Sequence, residues 1–223
     1  MQNKDGYRIA HVADLSWEER KGVDGWPSRA GMYYDDRANN LCLRLIDYAH
    51  GLTEPRHVHS GSHAAVVLQG SALIDGVTLG PLDIILGPSN EPHGPLVYPQ
   101  GVKIFSAFQG SYFHTEVGQQ DGASQYRLIH TKALPWQAGA GPGWQVKTLI
   151  DHGLGRLLIE LLRFDPGAAW PDPPVLAALV VEGGARIAGE SLGLWDLVYL
   201  PEGEKRGAMV FPTGGSLLTM TLR

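Results

Sequence analysis

Two stretches of this 223-residue chain are copies of each other, so whatever fold it adopts must be one that a domain of about half that length can complete. Tyr7-Arg8-Ile9-Ala10-His11 resembles Tyr126-Arg127-Leu128-Ile129-His130, and Leu15-Ser16-Trp17 resembles Leu134-Pro135-Trp136, both 119 residues apart. Residues 41–51 match residues 157–167 at an offset of 116, and residues 64–70 match residues 177–183 at an offset of 113. The last register also pairs Asp83 with Asp196, Pro88 with Pro201, Pro99 with Pro212 and Gly101 with Gly214. A division into domains 1–117 and 118–223 follows, with the polar, glycine-containing run 118–124 as the joint.

Each copy reads as short runs of Leu and β-branched residues closed by Gly, Pro, Asn or Asp; in the first copy these are residues 41–48, 64–68, 72–75, 82–86 and 102–108. Many short strands without βα alternation predict an all-β sandwich or barrel in each half. Residues 64–68 are apolar on both faces, which predicts that the outer face is covered, by the companion barrel or by a second subunit of a homodimer. The one helical turn expected follows Asp14, where Ser16-Trp17-Glu18-Glu19 offers a cap and an acidic first turn.

Composition narrows the function classes. Hydrophobic residues at 43% and charged residues at 18% describe a globular protein with real cores. A net charge of -5, without a cluster of Lys and Arg, argues against a nucleic-acid partner. No run of eighteen apolar residues and no apolar leader after the polar N-terminus are present, so no membrane association is expected and a cytoplasmic protein is the simplest reading. Cys42, the single cysteine, alternates with Leu41, Leu43 and Leu45 and is expected to be a buried, inert thiol.

Four of the nine histidines fall between residues 57 and 93. His57 and His59 leave the same face of a strand, and His63 keeps their parity. His93 follows the turn residues Pro88-Ser89-Asn90-Glu91-Pro92 and can return from another strand. Imidazoles converging inside a barrel suit one divalent transition-metal ion such as zinc, iron, nickel or manganese. Glu54 and Glu91 are read either as acceptors for a ligand's second ring nitrogen or as solvated loop carboxylates. His11, His50, His114, His130 and His152 lack convergent spacing and receive no role, and Trp17, Trp26, Trp136, Trp144, Trp170 and Trp195 are expected in packing.

Gly51-x5-His57-x-His59-x3-His63-x6-Gly70 resembles the first cupin motif, and Pro88-x4-His93 resembles the core of the second, with Asp83 where that family often has an acidic residue. The resemblance implies two tandem cupin barrels of the double-stranded β-helix or jelly-roll type, the first holding a metal through His57, His59, His63 and His93. His63 stands where most cupins carry a ligand glutamate, so four neutral imidazoles would leave the ion's charge to an anionic ligand such as hydroxide, a carboxylate or an enolate. The second copy is expected to hold no metal: it is three residues shorter in the ligand segment, and Asp172, Leu176 and Arg206 face His59, His63 and His93 in the 113 register.

Leu134-Pro135-Trp136 and the run Leu161-Leu162-Arg163-Phe164-Asp165-Pro166-Gly167-Ala168-Ala169-Trp170-Pro171 look like the cupin domain of ChrR-type anti-sigma factors. That resemblance implies a sensory or regulatory protein that answers an oxidant or small ligand, with a sigma factor or another regulatory protein as partner. The zinc domain that grips the sigma factor in that family is not expected in this chain, which has one cysteine. The alternative is a non-haem, metal-dependent dioxygenase of the acetylacetone-cleaving type, acting with O2 on 1,3-dicarbonyl or hydroxy-ketone substrates. A storage or scaffold bicupin is the third reading.

Overall fold

The structure is a computed structural model that describes residues 2–4, 7–21, 27–36, 40–110, 114–116, 126–151, 157–200 and 207–222. Trp26, the 118–124 joint, His152, Pro201 and Arg206 lie outside the described residues. Within them the regular elements are strands and two 3-10 turns, Val12–Asp14 and Thr131–Ala133, at equivalent places in the two copies. None of these helical segments is long and apolar enough to cross a membrane.

The chain folds into two compact units. One is made of the described residues of Ser16–Ala133, and the other of those of Met1–Leu15, Leu134–His152 and Arg156–Arg223. This differs from a linear division at residue 117, and strand pairing gives the reason. Tyr7–Ala10, at the start of the first copy, pairs antiparallel with Leu197–Tyr199 of the second. Arg127–Ile129, at the start of the second copy, pairs antiparallel with Ile84–Leu86 of the first. Each unit thus takes its edge strand from the other copy of the repeat.

A repeated clamp fixes each borrowed segment. Asp196 accepts from the backbone N–H of Gly193 (2.8 Å) and of Val12 (2.8 Å), and from His11 Nδ1 (2.8 Å). Asp83 accepts from Gly80 N (3.0 Å), Thr131 N (3.1 Å) and His130 Nδ1 (3.2 Å). His11 and His130, given no role by spacing, are therefore the side chains that dock the exchanged strands onto a carboxylate acceptor.

In the Ser16–Ala133 unit a seven-stranded sheet runs Arg127–Ile129, Ile84–Gly87, Ser62–Gly70, Val102–Gln109, Leu41–Tyr48, Pro27–Asp36, Trp17–Lys21. A four-stranded sheet runs Val77–Leu79, Ala72–Ile74, Leu96–Tyr98, Leu52–Glu54, and His57–His59 pairs with His114–Glu116. Val67, Ile85 and Ile104 from the first sheet pack with Ile74, Leu96 and Tyr98 from the second. That two-sheet core is the expected jelly-roll barrel. Residues 64 and 66–68 are all buried, as their two-sided apolar pattern predicts.

The second unit repeats the plan with an eight-stranded and a four-stranded sheet. Even the bulges recur: register shifts lie between Met32 and Tyr34 and between Thr148 and Ile150, and again opposite Val67/Gln69 and at Val180/Glu182. Gly70 and Gly183 both sit at positive φ (79° and 64°), where a Cβ would collide with the carbonyl oxygens of Gly101 and Gly214 respectively. Close backbone approach explains why both copies have glycine there.

One expected element differs. The segment after Asp14 is not a helical turn, because Trp17–Lys21 pairs with Pro27–Asp36 as the edge of the sheet, with the 3-10 turn just before it. A ladder with a neighbouring strand outweighs the short local capping signal. Trp17 lies under the Arg29 guanidinium (4.7 Å to the ring centroid) and Trp136 under Lys147 (4.7 Å) and Arg163 (4.5 Å), so this repeated pair consists of cation-covered platforms rather than core residues.

Candidate metal centre

His57 and His59 alternate through Val58 on one short strand, which turns both imidazoles inward. His93 is tied to His57 backbone to backbone, each N–H donating to the other's carbonyl at 2.9 Å. The His59 carbonyl accepts from Asn90 N at 2.8 Å, which anchors the turn that brings His93 back. The result is a group of ligand atoms from His57, His59 and His93 lying within 4.8 Å of one another, all three residues buried. Among the described residues no other group of this kind occurs.

Two of the rings have their tautomer set by hydrogen bonding. His57 Nδ1 donates to the Pro55 carbonyl (2.8 Å) and His93 Nδ1 to that of Glu91 (3.3 Å), leaving Nε2 of each with its lone pair. The acceptors for these second ring nitrogens, for which the Glu54 and Glu91 carboxylates were one of two readings, are thus backbone carbonyls.

His63 stands beside this group on the Ser62–Gly70 strand. Its ring centroid is 4.6 Å from that of His59 and 4.8 Å from that of His93, and it stacks on Phe108 at 4.9 Å. Gly87 lies opposite it across the ladder, and any Cβ there would overlap the imidazole. His63 is 3% exposed, and its Nδ1 is buried without a hydrogen-bond partner. Burial first, and then the neighbouring His93, His59, His57 and Arg44, hold this imidazole well below its ordinary pKa, so it is a neutral donor. A neutral, buried nitrogen lacking a proton partner is what a metal ligand looks like before the ion is considered. Buried imidazoles with the correct tautomers suit a divalent transition metal, and the residues fit such an ion.

Tyr48, Tyr98 and Arg44 escaped the sequence reading, and Glu54 had two readings open, of which the solvated one does not hold. Glu54 is not a solvated loop carboxylate: it is 6% exposed, accepts from the Tyr48 hydroxyl (3.1 Å) and the Tyr98 hydroxyl (2.5 Å), and places Oε1 3.8 Å from His57 Nε2. Burial and then the Glu54 charge raise the Tyr98 pKa well above the usual phenol value, so Tyr98 acts as a donor. Arg44 is 3% exposed on the Leu41–Tyr48 strand, in register with Ser106, with its guanidinium 5.1 Å from the Phe108 centroid. A visible signal for Glu54 existed in the repeat, since its equivalent in the second copy is apolar.

No family model matches the chain, and comparison with curated protein sequences finds no relative. Solved structures do resemble it. A proposed dioxygenase from Nostoc punctiforme matches with a TM-score of 0.81 at 12% identity, covering 98% of this chain and 83% of that one. An oxalate decarboxylase variant from Bacillus subtilis matches with 0.67 at 15% identity, over 96% and 76%. A salicylate 1,2-dioxygenase from Pseudaminobacter salicylatoxidans matches with 0.63 at 15%, over 82% and 71%. The chain has a bicupin fold. At these identities the likeness is one of fold, and it agrees with the motif spacing of the histidines.

The second barrel of the bicupin holds a different interior. Phe164 and Phe211 stack at 3.8 Å with an interplanar angle of 4°, and Trp144 and Trp170 pack around them. Of the residues expected to face the ligands, Asp172 is exposed and Leu176 is buried, while Arg206 lies outside the described residues.

Proposed function

We propose that this bicupin is a metal-dependent enzyme of the dioxygenase kind, in which His57, His59, His93 and His63 of the first barrel hold one divalent ion and the second barrel holds none. The supporting observation is the buried three-histidine group together with the partnerless Nδ1 of His63 beside it. A redox-active ion such as iron, when bound, would supply Lewis acidity and dioxygen chemistry. The chain's own contribution is positioning. Backbone carbonyls of Pro55 and Glu91 orient two imidazoles, and Phe108 and Gly87 fix the plane of the His63 ring.

The substrate class that fits is a small, oxygen-bearing anion, such as the enolate of a 1,3-dicarbonyl or hydroxy-ketone compound. Four neutral imidazoles leave a dication undercompensated, and the buried Arg44 adds a further positive charge to the same side of the barrel. Protein loaded with Fe(II) should consume O2 with members of a diketone panel, while the zinc-loaded protein should not, since zinc has no redox chemistry. No uptake with iron across the panel, combined with retention of a sigma factor or other regulatory protein by the immobilised full chain, would replace this reading with the ChrR-type sensory one.

A further inference from the structure

The duplication supplies an internal control for every residue near the site. Tyr98 and Phe211 are equivalent at the 113 offset, and Tyr48 and Phe164 at 116. The ladders fix the third member: Leu52 pairs with Tyr98 and Glu54 with Leu96, as Ala168 pairs with Phe211 and Trp170 with Met209. Glu54 is thus the structural equivalent of Trp170. In both barrels the flanking aromatic rings stack, Tyr48 on Tyr98 at 4.6 Å and Phe164 on Phe211 at 3.8 Å. Packing at this place needs neither a carboxylate nor a hydroxyl, as Trp170, Phe164 and Phe211 of the second barrel show. The first barrel adds one carboxylate and two hydroxyls, and it is the barrel with the histidines.

A carboxylate buried without a cation is costly, and two neutral hydroxyls offset only part of that cost. Among the described residues no lysine or arginine pairs with Glu54; its contacts are Tyr48, Tyr98 and the Nε2 edge of His57. That edge is the one left with a lone pair when Nδ1 donates to Pro55, so a cation there would face the carboxylate as well. We propose that Glu54, held by Tyr48 and Tyr98, is the charge-balancing carboxylate of the metal centre, moved to the Leu52–Glu54 strand from the position His63 occupies. It rests on the metal-binding reading above. It refines the substrate class too: with one charge already offset, the centre takes a singly charged anion rather than a dianion.

The test is Co(II) binding by the full chain, read by titration and by the visible spectrum of the bound ion, followed by azide titration of the Co(II) form. Glu54→Gln keeps the shape and removes the charge. It should weaken Co(II) binding by about tenfold or more, the usual scale for partners of metal ligands, and should tighten azide. The double variant Tyr48→Phe/Tyr98→Phe, whose rings copy Phe164 and Phe211, should change both affinities in the same directions by a smaller factor, and it stands in if Glu54→Gln does not fold. Unchanged Co(II) or azide affinity in these variants overturns the role of Glu54. If His57→Ala still abolishes Co(II) binding in that case, the metal centre itself survives; if the unmodified protein takes up no Co(II), both readings fall.

Discussion

The two barrels share their strands, bulges and aspartate clamps, and differ in what fills the space between the sheets. The first encloses four imidazoles, a carboxylate with two phenols, and a guanidinium, all of them groups that lose solvation on burial. The second encloses Phe164, Phe211, Trp170, Met209 and their aliphatic neighbours, an aromatic and aliphatic core. The first barrel thus combines its apolar cluster with a buried group of polar and ionisable side chains, where the second has aromatic and aliphatic ones. The three-residue deletion between Trp170 and Ala177 falls in the segment that carries His57, His59 and His63 in the first copy, and Trp170 fills the place of Glu54.

Substitutions at the aromatic pair probe this difference most strongly. Phe211→Ala should destabilise the second unit by about 3–5 kcal/mol in urea unfolding, because a fully buried, stacked ring is replaced by a cavity. Phe211→Tyr, which inserts the first barrel's hydroxyl among Phe164 and Met209, should cost about 1–3 kcal/mol as a buried donor without an acceptor. A neutral Phe211→Tyr would mean that the second barrel tolerates polarity and that the contrast between the interiors is not energetic.

The clamps test what the barrels have in common. Asp196→Ala and Asp83→Ala each leave two backbone N–H groups without their acceptor, and each should cost about 1–3 kcal/mol with urea midpoints that move together. A large effect in one and none in the other would show that only one exchanged strand is held in this way.

Acid sharpens the comparison through His63. Its folded-state pKa is depressed, so between that value and about 6.5, where a histidine titrates in the unfolded chain, the unfolded state binds the proton that the folded state refuses. Stability of the metal-free protein should accordingly fall as pH drops below about 6.5, and His63→Gln should flatten that part of the profile. Urea midpoints at pH 7.5 and 5.5 measure it. An unchanged midpoint in the unmodified protein, or the same drop in His63→Gln, would contradict a neutral buried His63. Bound metal should leave over the same range as its imidazoles protonate, toward roughly pH 5.

Much of this was readable from the residues. Strand positions 41–48 and 102–108 emerge because apolar runs rich in Leu and β-branched residues, closed by turn residues, leave a local pattern, and both strands are buried along most of their length; the His57–His93 spacing pointed to the buried histidine group. The strand exchange was not legible, because pairing Tyr7–Ala10 with Leu197–Tyr199 leaves no mark within either segment, and so the roles of His11 and His130 were missed as well. Trp17–Lys21 was misread because a capping pattern is local while the ladder that overrides it is contributed by Pro27–Asp36. Glu54 could not be told from a solvated loop carboxylate because its partners are two tyrosines, one of them 44 residues away.

Metal content of the full-length chain, measured by elemental analysis before and after substitution, tests the central contrast most directly. The unmodified protein should carry one divalent ion per chain, and His57→Ala/His59→Ala should carry none, with the second barrel still folded around Phe164 and Phe211. Two ions per chain, or one ion retained in the double variant, would show that the metal is held elsewhere and would contradict the account.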